Sequence, residues 1–185
     1  LSEIRDGNGW FANKQAFQLG LKSYDLPIKN LDVLTEFNYV RPFTYSHRTT
    51  FTNYAHFNQS LAHPLGSNFI ESVSLINYRY KNYIFRFQFN YAETASDTGN
   101  SNLGNDIFKN YETYTFAYGN RMLQGQRHSL IYSDIRAGYV INPRTNLCFE
   151  LGYTYRRMTT SGEVATTNWV YASIRTALFN RYHDF

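Results

Sequence analysis

Between Tyr83 and Tyr91 the chain reads YIFRFQFNY. Tyr83, Phe85, Phe87, Phe89 and Tyr91 fall on one parity; Arg86, Gln88 and Asn90 fall on the other. A strict period of two is the side-chain period of a β-strand, so one face of this strand carries rings and the other a cation and two amides. Alternation also occurs in soluble sandwiches. The wider inference rests on its repetition along the chain, which ends on Phe185. The expectation is an all-β fold: an antiparallel transmembrane β-barrel with a polar interior and a lipid-facing apolar band.

Composition agrees. The 185 residues suffice for one domain, residues 1–185. Aromatics reach 18%, yet the mean hydropathy is −0.49, as strands polar on one face require. No apolar run approaches the roughly 20 residues of a spanning helix. The net charge of +4 comes from scattered Lys and Arg, without the clustered basic face of a nucleic-acid binder. Cys148 stands alone, which leaves no disulfide framework and no Cys pair for a metal. Residues 1–9 are polar and carry no leader, so an exported chain is expected to have lost one.

Taken in order, a strand builds from Trp10 to Tyr24, with a short connection at 26–30. A second covers 31 to about 45, and a third 68–80. The third has muddled parity, which a β-bulge near Leu75 accounts for. The Tyr83–Tyr91 strand follows, then strands at 128–141, at 146–156, and from Asn168 to the end. Connections alternate in length: short at 26–30, 81–82 and 142–145, long at about 46–67, 95–127 and 157–167. Outer-membrane barrels have short periplasmic turns and longer extracellular loops, so the three long ones are assigned outside. Seven strands make an odd count, whereas bacterial single-chain barrels have even counts. The expectation is the C-terminal part of a larger barrel, unless an eighth strand lies within 107–118.

The inward parities carry Lys22, Asp32, Glu36, Arg86, Asp134, Arg136, Glu150, Arg156 and Arg175. Such residues either pair across strands as a wet, salt-bridged lining or act as a selectivity filter. His47, His56 and His63 lie in the 46–67 loop at spacings unlike a zinc site. Amides and rings beside them suit either a self-bonded loop or a sugar-binding surface. Asp97, Asn100, Asn102, Asn105 and Asp106 are oxygen-rich but lack the EF-hand pattern. No nucleophile motif, Gly-rich phosphate loop or glycosidase carboxylate pair is apparent. The expectation is no enzyme, no cofactor and no metal.

The blocks YVRPFTYSH (39–47), NYAHFNQSLAHPLGSNFIE (53–71), NDIFKNY (105–111) and YGNRMLQG (118–125) resemble the C-terminal half of RemB-type gliding-motility proteins. Those belong with the Wzi-like capsule-assembly proteins of the outer membrane. The resemblance spans most of residues 31–130 and the NRYHDF ending; HPLGSNFIE is its most specific part. It implies a Gram-negative outer-membrane barrel with loops at the cell surface that bind or organise polysaccharide. Carried over residue by residue, the matching loop positions are Arg41, His56, Asn58, Gln59, His63, Asn68, Asp106, Asn120 and Gln124. Phe185 is the expected insertion signal, read by the barrel-assembly machinery. Expected partners are outer-membrane lipid, surface polysaccharide, that machinery, and other outer-membrane proteins. The competing readings are a transport pore, a barrel bound to assembly or secretion machinery, and a soluble secreted β-sandwich.

Overall fold

A computed structural model describes residues 2–177. Leu178 and Phe185, with the insertion-signal assignment, lie outside them. After a one-turn helix, Ser2–Arg5, the chain is built of strands. They are β1 (Ala16–Tyr24), β2 (Leu31–Val40), β3 (Ala55–His56), β4 (Gln59–Ser60), β5 (Phe69–Tyr80), β6 (Tyr83–Ser96), β7 (Gln126–Asn142), β8 (Leu147–Thr160) and β9 (Glu163–Arg175). Seven form one antiparallel sheet in the order β1-β2-β5-β6-β7-β8-β9, and β3 and β4 make a separate small hairpin. Every neighbour in the large sheet is also the next long strand in sequence, so it is a meander with edges β1 and β9. No helix among the described residues is long and apolar enough to cross a membrane.

Pairing carries the two parities across all seven strands, with one register shift, between Val140 and Asn142 at the end of β7. Phe37 lies opposite Leu19 on β1, Ile76 on β5 opposite Val33 on β2 and Phe87 on β6, and Phe87 also opposite Ile135 on β7. Ile135 meets Tyr153 on β8, which meets Val170 on β9. This face is mostly apolar, with Ser72, Ser74, Ser133 and, towards the cap, Glu93 and Arg157 among its rings and aliphatic groups; it is open to the surroundings, Leu19 being 73% exposed, Ile174 74% and Val170 80%. The other face is polar and includes Asp134, 3% exposed, and Glu150, 5% exposed. A water-soluble sheet puts its apolar side in the core. Here the polarity is reversed.

Several expectations change. The strand expected from Trp10 begins at Ala16, because Trp10–Gln15 leave the sheet to pack with the loops. No bulge sits near Leu75: β5 pairs continuously with both neighbours. Its parity looks muddled because Ser72 and Ser74 lie on the apolar face while Val73 and Leu75 lie on the polar one. The register shift falls between Val140 and Asn142 instead. The expected loop at 157–167 is a tight hairpin in which Ser161 and Gly162, both at positive φ, join β8 to β9. No strand lies within 107–118, where Tyr111–Thr113 form a single 3-10 turn.

Candidate functional site

The two long connections, 41–68 and 97–125, form a cap over one end of the sheet, with a small core of its own. Phe43, Phe69, Leu103, Ile107 and Leu123 are buried there. Backbone bonds stitch the connections together: the Phe43 amide donates to Gly104 O at 2.8 Å, and the Ser67 amide to Asn105 O at 3.3 Å. A Cβ on Gly104, at φ +84°, would stand 2.6 Å from Phe43 N, so only glycine fits that crossing. Residues 8–14 join the cap. The Phe11 amide donates to Ala117 O at 3.0 Å, and its ring stacks on Tyr114 at 4.3 Å. Lys14 Nζ donates to Ser46 O and sits 4.0 Å from the centre of the Tyr111 ring. Burial holds the Lys14 pKa below the ordinary lysine value.

The nine loop positions divide among distinct places. Asn68 is fully buried and bonds three backbone groups: Nδ2 donates to Ala95 O and Gln124 O, and Oδ1 accepts from the Leu123 amide. Asn120 Nδ2 donates to Gly9 O and Phe116 O, and Gln124 Nε2 donates to Leu103 O and Asn120 Oδ1. These three hold the cap together. The Leu65 amide donates to His63 Nδ1 at 3.2 Å, so a neutral His63 carries its proton on Nε2, which lies 2.9 Å from Glu71 Oε2. Glu71 also accepts from Asn38, and the His63 ring stacks on Phe69 at 4.4 Å. His63 is thus a bracket between cap and sheet. Arg41 follows the end of β2, and its Nε is buried without a partner among the described residues.

The remaining four face outward. His56 and Gln59 pair across the β3–β4 hairpin, whose tip residues Phe57 and Asn58 both have positive φ, as a type I′ turn requires. Phe57 is 88% exposed and its ring lies 4.3 Å from that of His56. Asp106 lines a cleft of about 440 Å³ with Ser60, Pro64, Gly66, Phe108 and Lys109. Lys109 is fixed there by Asp97 at 2.7 Å. The tip and the cleft adjoin through Ser60, which closes the hairpin and lines the cleft. Among the described residues no three His, Cys, Asp or Glu side chains converge as a metal site.

Register places Lys22, Glu36, Arg86, Asp134, Arg136, Glu150, Arg156 and Arg175 on one face of the sheet. Five of them form two ionic knots. Asp134 accepts from Arg136 Nε, from Thr154 Oγ1 at 2.6 Å and from Tyr171 Oη at 3.1 Å. Glu150 Oε1 meets Arg86 at 3.4 Å and Arg175 at 2.9 Å. Lys22, Glu36 and Arg156 stand outside ion pairs among the described residues; Glu36 accepts from Gln18 and Arg156 reaches Met158.

Both knots span a strand, and both need a glycine beneath them. Glu150 on β8 reaches Arg86 on β6 across Gly138 of β7, where a Cβ would stand 3.0 Å from Glu150 Cγ. Tyr171 on β9 reaches Asp134 on β7 across Gly152 of β8, where a Cβ would stand 2.2 Å from Tyr171 Cζ. Gly152→Ala is therefore expected to displace the Tyr171 ring and cost about 1–3 kcal/mol, the usual range for overpacking. Urea unfolding in detergent micelles checks this. A Gly152→Ala/Tyr171→Ala pair that loses no more than Tyr171→Ala alone would locate the clash.

Sequence reasoning missed Trp169 and Tyr171, which with Tyr132, Arg136, Thr154 and Arg156 line a groove of about 460 Å³ on the polar face. The signal was present: Trp169 and Tyr171 share the parity of Ser173 and Arg175. The chain matches no protein-family model, no curated protein and no solved structure.

Proposed function

We propose that this chain is a segment of an outer-membrane β-barrel whose loop face binds surface polysaccharide, without catalysing a reaction. The reversal of the two faces carries the first half. A mostly apolar, exposed face that extends across seven strands is unlike the scattered apolar groups that soluble monomers expose. Lipid accepts such a surface, provided the backbone is fully paired within the protein. Rings run the length of this face, from Phe17 and Tyr39 near the cap through Phe89, Phe87, Tyr153 and Phe85 to Tyr83 and Tyr139 near the short turns. Edges β1 and β9 run in the same direction, because seven antiparallel strands begin and end alike. Antiparallel closure therefore needs an odd number of further strands between them.

The expected test is by position. In proteoliposomes, a tryptophan replacing Leu151 on the apolar face is quenched by brominated acyl chains, whereas Trp169 on the polar face is not. Equal quenching of the two, or none at Leu151→Trp, overturns the membrane reading.

The second half rests on the outward loop residues. Sugars need rings for their apolar faces and fixed donors and acceptors for their hydroxyls. His56, Phe57, Asn58 and Gln59 supply both at the hairpin tip, and Asp106, Phe108 and Lys109 supply both in the adjoining cleft. The resemblance to Wzi-like and RemB-type proteins supports the same reading. Replacing His56, Asn58 and Asp106 together with Ala is expected to lower cell-surface polysaccharide retention several-fold while leaving the protein's amount in the outer membrane unchanged. Undiminished retention would sink the loop-face reading. The charged polar face favours a second reading, an ion-conducting pore, and its test is conductance in a planar bilayer that changes on Arg86→Gln.

A further inference from the structure

At the end of the polar face opposite the cap lies a pocket of about 320 Å³ lined by Arg79, Arg86, Asn146, Cys148, Arg175 and Thr176, among others. Three arginines from three different strands line it, and the guanidinium groups of Arg86 and Arg175 meet at Glu150. Among the described residues one carboxylate answers them, since Arg86 and Arg175 both bond Glu150 through the same oxygen, Oε1. Arg79 has no carboxylate partner among the described residues; Asp32, diagonal to it across β2 and β5, forms no ion pair with it. Asp134, the other acid of this face nearby, is occupied by Arg136, Thr154 and Tyr171. Among the described residues, two positive charges in the pocket are thus unmatched.

We infer that this pocket binds a phosphate group, held by Arg79, Arg86 and Arg175. Guanidinium forks bond tetrahedral oxyanions in pairs, and charge-assisted bonds of this kind are about twice as strong as neutral ones. Glu150 serves the site rather than filling it. It is 5% exposed and bonds one nitrogen each of Arg86 and Arg175, which leaves further N–H donors on both guanidinium groups of this pocket. Each guanidinium has five N–H donors, more than Glu150 Oε1 can accept. Asn146 and Thr176 add neutral polar groups to the rim. The inference goes beyond saccharide binding at the cap and concerns the other end of the molecule, so the two fail separately.

The test uses the full chain in maltoside micelles, with inorganic phosphate and glucose 6-phosphate as two probes read by 31P NMR line broadening. Both are expected to bind, and the tighter one identifies the source as a free or an esterified phosphate. Arg79→Gln is expected to weaken binding about tenfold, the loss of one charged hydrogen bond. It leaves the Glu150 knot intact, so folding is not at stake. Arg144→Gln, in the exposed turn between β7 and β8 and outside the pocket, is the control for diffuse charge and is expected to change binding less than about twofold. Absence of broadening by either probe overturns the inference. So does an Arg144→Gln variant that weakens binding as much as Arg79→Gln.

Discussion

Asn68→Ala is expected to open the cap while the sheet stays paired. The side chain is completely buried and makes three bonds to backbone at 3.1, 2.9 and 2.7 Å. Its loss orphans the Leu123 amide and takes a donor from the Ala95 and Gln124 carbonyls; each unsatisfied buried group costs about 1–3 kcal/mol. Alanine also fits poorly at φ +61°, a left-handed conformation that Asn adopts more readily than most residues. The combined cost is about 4 kcal/mol, large beside a typical total stability of about 5–15 kcal/mol. The bonds tie the start of β5 to the end of β6 and to the chain entering β7, so the damage is local. Trypsin should cut at Lys109 and Arg121, both in the cap, while strand bonds in β6–β8 keep their hydrogen-exchange protection. Asn68→Gly separates the causes: it removes the strain but not the lost bonds, and should recover only about 1 kcal/mol. A variant with unchanged resistance to trypsin would show that the cap is held elsewhere.

Where both faces of a strand differ sharply, parity alone locates it. β6 and β8 are read well from rings set against Arg, Gln, Asn and Glu, and each extends beyond its expected end because Ala92–Ser96 and Arg157–Thr160 lack rings. β9 is half hidden for the same reason. Its first residues, EVATT, look like loop chemistry, yet Val and Thr are β-branched and favour strands. The hairpin turn is only Ser161-Gly162. In β5 the serines on the apolar face and Val73 and Leu75 on the polar face imitate a phase shift, and only pairing with two neighbours distinguishes composition from register.

The cap was far less legible. Its polar sequence reads as an exposed, ligand-facing surface, yet five of the nine carried-over residues, His63, Asn68, Asp106, Asn120 and Gln124, hold backbone or strand partners, Asp106 while also lining the cleft. An asparagine amide serves equally to bond a sugar or to bond the chain itself, so its letter does not separate the two uses. The apolar letters do not separate the two uses either: Phe43, Leu103, Ile107 and Leu123 form the cap's core, while Phe51, Phe57, Leu61, Phe108 and Phe116 in the same loops are exposed. The phosphate pocket was hidden by strand order. Arg79, Arg86 and Arg175 come from β5, β6 and β9, and no spacing in the chain reveals their meeting.

Asp134→Ala is expected to be among the most damaging changes on the polar face. Pairing sets Arg86 directly opposite Arg136, and like charges so placed repel. The fold resolves this by drawing the two cations to separate acids, Arg136 to Asp134 and Arg86 to Glu150. Removing Asp134 leaves Arg136 without a counter-charge, frees it towards Arg86, and strands the hydroxyls of Thr154 and Tyr171. The Asp134 side chain is 4% exposed but that of Arg136 is 36% exposed, so water takes up part of the freed charge, and the expected cost is about 1–3 kcal/mol, mostly from the unsatisfied partners. Urea unfolding in micelles should show that loss. The informative comparison is the double variant Asp134→Ala/Arg136→Ala. If the penalty comes from the unpaired cation, deleting Arg136 as well restores about half of the lost stability. If instead the acid acts mainly as acceptor for Thr154 and Tyr171, the double variant is no more stable than the single one, and Asp134→Asn, which keeps an acceptor oxygen but no charge, recovers more than the double variant does. A single Asp134→Ala variant within about 0.5 kcal/mol of the native chain, the range of an ordinary surface change, would mean that this knot does not organise the polar face.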